Sequence, residues 1–127
     1  MLIVMRGLFI AFIAFLYSVS LYAGDGSVSS PFTVEEALSK KNNNMLCYVS
    51  GYIVGEYVNY SNNKHFYNMA PPFEGTSTYL IADMPFEYRL EKCMTVQLGA
   101  ANRDICNLDE YPVYWNKKLL LQGNLSL

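Results

Sequence analysis

Residues 45–58, MLCYVSGYIVGEYV, read as one long strand interrupted by two glycines. Cys47, Val49, Gly51 and Ile53 fall on one face, with Tyr48, Ser50, Tyr52 and Val54 on the other. That is the period-2 alternation of a β-strand. Glycine has nothing to pack and weakens a strand interior. Apolar residues nonetheless continue through Gly51 and Gly55, so these glycines mark a bend or bulge, not a strand end. Such a strand belongs to a sheet that coils on itself, as at the corner of a small barrel.

The other elements follow from the same patterns. Thr33-Val34-Glu35-Glu36 forms a capping box. Val34, Ala37 and Leu38 share a face of the short helix it starts, and KKNNN at 40–44 ends that helix. Residues 58–75, rich in Asn, aromatics and Pro-Pro, read as one long loop, a kind that is often functional. TSTYLIAD at 76–83 is a second strand and MPFEYRLEK at 84–92 a polar connection. CMTVQL at 93–98 is a third strand, with Met94, Val96 and Leu98 inward and Thr95 and Gln97 outward. GAANRDICNL at 99–108 makes one or two helical turns, and Pro112 stops the chain before a last strand. There Leu119, Leu121, Leu125 and Leu127 alternate with Leu120, Gln122, Asn124 and Ser126.

This order predicts a mainly β domain, an OB-type small Greek-key barrel with an N-terminal helix and a short helix between its third and fourth strands. That barrel has five strands, so the count is one short and the edge of the last strand is open. A strand from another chain, including exchange within a homodimer, could fill it. So could the N-terminal segment, and a truncated copy without independent function is the third explanation.

Residues 1–23 carry Arg6, an apolar run from Leu8 to Leu16 and a small-residue approach to Ala23. This is the layout of a secretory signal peptide cleaved after Ala23, with a cut after Ser20 as second choice. It implies export to the periplasm, cell surface or medium, with no membrane association after cleavage. Residues 24–32 are then a linker and 33–127 a single domain. Cys47, Cys93 and Cys106 are odd in number and lie in apolar runs, which suits three buried thiols. A Cys93–Cys106 disulfide is the alternative. Three Cys and one His at these spacings make no metal site.

The chain carries 9 Lys and Arg against 11 Asp and Glu. With no basic stripe there is no electrostatic footprint for nucleic acid. A catalytic reading fares no better. His65 is the only histidine, and neither a nucleophile elbow nor a Gly-rich phosphate loop occurs. The expectation is a non-enzymatic protein without cofactor.

Five short motifs in order carry a resemblance: VSGYIVG at 49–55, LIAD at 80–83, KCMTVQL at 92–98, Arg103 with Asn107-Leu108, and Pro112 followed by Lys117-Lys118 and Gly123-Asn124-Leu125. Together they resemble an uncharacterised OB-type domain of exported and surface bacterial proteins, sometimes joined to extracellular nucleases. The resemblance covers roughly residues 33–125 and implies fold and export, not an activity. It departs at three points. A closing segment after Gly-x-Leu is missing, Asn116 stands where the family has Gly, and Trp115 replaces a smaller residue.

Binding sites in OB-type barrels lie on strands two and three and the loops beside them. The long loop here offers Tyr60, His65, Phe66, Tyr67 and Phe73 with Asn63. Rings supply stacking and amides paired donors and acceptors, which suits a glycan or a protein partner. A nucleic-acid-binding role beside an extracellular nuclease is the alternative. Arg103 reads as a tie between loops, and Trp115 as a plug in the barrel end.

Overall fold

The computed structural model describes residues 4–5, 10–12, 24–40, 46–60, 64–75 and 77–125. The expected leader with its cleavage point, Asn63 and Leu127 lie wholly or largely outside the described residues. The chain is mainly β. Strand β1 (Leu46–Asn59) follows helix α1 (Val34–Ser39). Then come β2 (His65–Asn68), β3 (Thr78–Ala82), β4 (Met94–Leu98), α2 (Ala100–Cys106) and β5 (Lys118–Asn124). These strands form an open antiparallel sheet in the order β4–β3–β1–β5, with β2 on the far end of β1. Two short N-terminal segments also run along its edges, Val4–Met5 parallel to β4 and Ile10–Phe12 antiparallel to β5. No helix among the described residues is long and apolar enough to cross a membrane.

β1 is the spine. Leu46–Tyr52 pairs with β5, Tyr52–Glu56 with β3 and Glu56–Asn59 with β2. Where β1 passes from the first partner to the others, the register steps from Ile53↔Ile81 to Gly55↔Leu80. Two residues of β1 advance against one of β3, so Val54 is the extra residue of a β-bulge. The bulge flips the side-chain parity. Cys47, Val49 and Ile53 face the main core before it, and Glu56 and Val58 are buried after it. Of the bend or bulge expected from the glycines, the bulge is present, next to Gly55.

A bulge leaves backbone groups without ladder partners, and a buried group left that way is costly. Here the 115–117 turn supplies them. The Trp115 indole N–H donates to the Val54 carbonyl at 3.0 Å. Asn116 donates its backbone N–H to Ile53, and Ile53 donates to the Lys117 carbonyl, at 2.6 and 3.0 Å. Trp115, partly buried against the main core, thus also serves the bulge. Asn116 has φ 62°. That left-handed conformation suits Gly or Asn. Its side-chain oxygen accepts the Phe86 N–H at 2.7 Å. Asn116→Ala should cost about 1.5 kcal/mol in a urea melt, from strain at positive φ and one lost hydrogen bond.

Six-residue helices are marginal alone. α1 persists because its first-turn N–H groups are all answered. Thr33 Oγ1 accepts from Glu36 at 3.0 Å, and Glu36 accepts from Thr33 at 2.9 Å, completing the expected capping box. Asp83, at the end of β3, accepts from Val34 at 2.7 Å and Glu35 at 3.0 Å, fastening the helix to the sheet. Val34 and Ala37 are buried as expected, whereas Leu38 is exposed. β4 alternates as the sequence indicates, Met94, Val96 and Leu98 being buried beside outward Thr95 and Gln97.

Candidate functional site

Residues 58–75 are not one loop. β1 runs on to Asn59, and His65–Asn68 pairs back onto it as β2. The Tyr60 N–H closes this hairpin onto the Lys64 carbonyl at 2.7 Å. Directly opposed residues in an antiparallel pair share a face, and neighbours along a strand alternate. The pairs Tyr57↔Tyr67 and Asn59↔His65 therefore lie on one side, with Val58↔Phe66 and Glu56↔Asn68 on the other.

The first side presents a row of rings. Tyr57 and Tyr67 have centroids 5.1 Å apart, and Tyr57 and His65 6.0 Å apart. Tyr67 and His65 are exposed and Tyr57 half-buried, with Asn59 exposed beside them. On the other side Tyr60 and Phe66 make a 6.0 Å pair, both exposed. Of the residues expected at the site, the hairpin thus gathers His65 and Tyr67 on one face and Tyr60 and Phe66 on the other. Phe73 belongs to the main core, 6% exposed and edge-on to Trp115 at 5.9 Å. Tyr57 joins the ring face although strand periodicity alone does not single it out.

Beneath the hairpin lies a feature that sequence reading passes over. Glu56 is 1% exposed. Its carboxylate accepts from Asn68 Nδ2 at 2.9 Å, from the Glu74 N–H at 2.9 Å, and from the Gly75 N–H. Asn68 Nδ2 also donates to the Pro72 carbonyl at 2.7 Å. A buried carboxylate is tolerated only when its oxygens are satisfied. This one clips the 72–75 segment under the hairpin and so fixes the base of the ring face.

His65 stands exposed on the hairpin, while the three thiols are free and buried in the interior. Cys47 and Cys106 pack in the main core, and Cys93 in a smaller cluster with Val54, Leu80 and Ala82. Burial raises all three thiols above their ordinary value. For Cys93 the charges of Glu87 and Glu91 add to the burial and carry it to about 11. Because the thiolate is the reactive form, native protein should label negligibly with a thiol reagent at pH 7, and at all three sites after denaturation. Rapid labelling of one native thiol would contradict this packing. Among the described residues no group of three or more His, Cys, Asp or Glu could hold a metal. Asp83 caps α1, and Arg103 is exposed on α2.

No curated protein and no solved structure matches this chain. Residues 32–127 match the model of a family described as a domain of unknown function, DUF6359, and the chain belongs to that family.

Proposed function

We propose that this chain is an exported, non-enzymatic binding module of OB type whose ligand is a neutral glycan, held on the Tyr57–His65–Tyr67 face of the hairpin. The OB-type reading is supported by the long bulged strand shared between two halves of the sheet, the β1–β3–β4 meander and the helix before β5. Export rests on the apolar N-terminal segment with its single early Arg and its small-residue end.

The observation that carries the binding site is the exposed ring face itself. Sugar rings offer C–H faces to aromatic planes and hydroxyls to amides, and Asn59 sits opposite His65 on that face. The net charge of −2 leaves little attraction for a phosphate backbone.

Intrinsic fluorescence titrations with soluble neutral oligosaccharides test this. Binding should be almost unaffected by salt, and Tyr67→Ala should weaken it about tenfold, the scale of an aromatic anchor. The reading fails if no oligosaccharide perturbs the protein at millimolar concentration. It also fails if an oligonucleotide binds instead with a steep salt dependence.

A further inference from the structure

A second surface lies at the opposite end of β3 from the hairpin. There α1 and the 83–92 connection enclose an open groove of about 460 Å³. Leu38 and Met84 provide its apolar lining. Around them stand the carboxylates of Glu35, Asp83, Glu87 and Glu91 against two cations, Arg89 and Lys92.

Three of these groups are already engaged. The Arg89 guanidinium donates to both Glu87 oxygens at 3.0 and 2.8 Å, and Asp83 holds the start of α1. Glu35 and Glu91 remain exposed, so the groove is acidic on balance.

The connection also exposes apolar side chains to an unusual degree. Met84, Phe86, Tyr88 and Leu90 are all between 45% and 75% exposed, interleaved with the groove-lining residues. Single exposed apolar residues are ordinary, whereas four within seven positions beside a groove form a patch of the kind that marks an interaction site. Met, Phe, Tyr and Arg are also the types that interfaces concentrate.

The patch is held in place. Phe86 adopts φ 62°, an unfavourable conformation for an aromatic residue. The Asn116 side chain holds its N–H, and its ring packs edge-on to Trp115 at 5.5 Å. Glu87 additionally accepts the Tyr88 and Arg89 N–H groups at 3.1 and 3.3 Å. A connection ordered in this way loses little further entropy when something docks on it.

We infer that this groove docks an extended segment of a partner protein in which apolar residues alternate with Lys or Arg. The apolar side chains enter between Leu38 and Met84 and against Phe86 and Tyr88, and the cations meet Glu35 and Glu91. Charge decides the occupant. An anionic membrane surface and an acidic peptide are both repelled by the excess of carboxylates, whereas a cationic segment is drawn in.

The test uses the full chain and three labelled decapeptides read by fluorescence anisotropy, one of alternating Leu and Lys, one of Leu and Glu, and one of Ser and Lys. Only the Leu/Lys peptide should bind well, more weakly at high salt. Glu35→Lys with Glu91→Lys should weaken it at least tenfold, and Tyr88→Ser should weaken it with an unchanged thermal melt. Equal binding of the Leu/Glu peptide, or an affinity indifferent to the charge reversals, would overturn the inference. Binding to vesicles of anionic lipid that Tyr88→Ser abolishes would assign the patch to a membrane instead. None of these results bears on the hairpin, whose glycan titration stands apart.

Discussion

Replacing Glu56 with alanine should destabilise the domain by about 4 kcal/mol, the cost of leaving three donors without their shared, buried carboxylate acceptor. The loss is large because it has two parts. The N–H groups of Glu74 and Gly75 and one amide proton of Asn68 lose their acceptor at a site where Glu56 itself is 1% exposed. A void the size of the side chain also opens under the hairpin. For a domain of this size the change corresponds to a fall in Tm of more than about 10 °C. Glu56→Gln keeps shape and an acceptor oxygen but brings an amide donor where three donors already converge, so it should recover only part of the loss. A urea melt of both variants measures this, and an effect under about 1 kcal/mol for the alanine variant would show that water replaces the carboxylate freely.

Gly55→Ala should cost about 2.5 kcal/mol, in the range of overpacked interiors. A Cβ at Gly55 would stand 2.5 Å from the Asn68 carbonyl oxygen, 2.9 Å from Met69 Sδ and 3.2 Å from Met69 Cα. Two of those neighbours are backbone atoms at the end of β2, so relief requires moving the hairpin off the bulge. The entropy gained by losing a glycine, about 0.4–1 kcal/mol, is too small to offset this. Gly51→Ala meets Val34 Cγ2 at 2.8 Å and the Ala82 carbonyl oxygen at 3.1 Å, a looser backbone contact than the 2.5 Å at Gly55, and should cost less. Equal tolerance of alanine at both positions would mean that the bulge does not depend on close backbone approach.

Acid has a narrower effect, confined to the 83–92 connection. The Arg89 side-chain hydrogen bonds hold the Glu87 carboxyl at about 2, below its ordinary value of 4.5. A depressed folded-state value means that the clip contributes stability above about pH 4.5 and loses it as the pH falls toward 2. Trp115 emission, reporting through Phe86, should therefore stay flat from pH 7 to 5 and change only in strong acid. A transition centred near pH 4.5 would show that Glu87 is unpaired in solution.

Some of this architecture is legible in the residues, because it is written in local patterns. Thr33 and Glu36 announce the start of α1, Met94 to Leu98 alternate, and apolar residues running through Gly51 and Gly55 mark the bulge. What escapes is set by distant partners. β2, His65–Asn68, has no apolar alternation of its own and becomes a strand only because Glu56–Asn59 offers an edge. Which rings of the 58–75 stretch share a face follows from that register, so composition alone groups Phe73 with Tyr67 although Phe73 belongs to the core. Glu56 sits at a strand position that alternation would assign to solvent or core according to the bulge. Its acceptor role depends on N–H groups 18 and 19 residues away. Exposed Leu38 likewise departs from its helical face, since the groove lies where a third apolar contact would have been.

The most direct test of the hairpin as the binding surface is an amide NMR titration of the isotope-labelled chain with neutral oligosaccharides. The proposed site expects shifts centred on Tyr57–Asn59 and His65–Tyr67, unchanged between low and high salt. Shifts clustered elsewhere, or none at millimolar sugar, would contradict it.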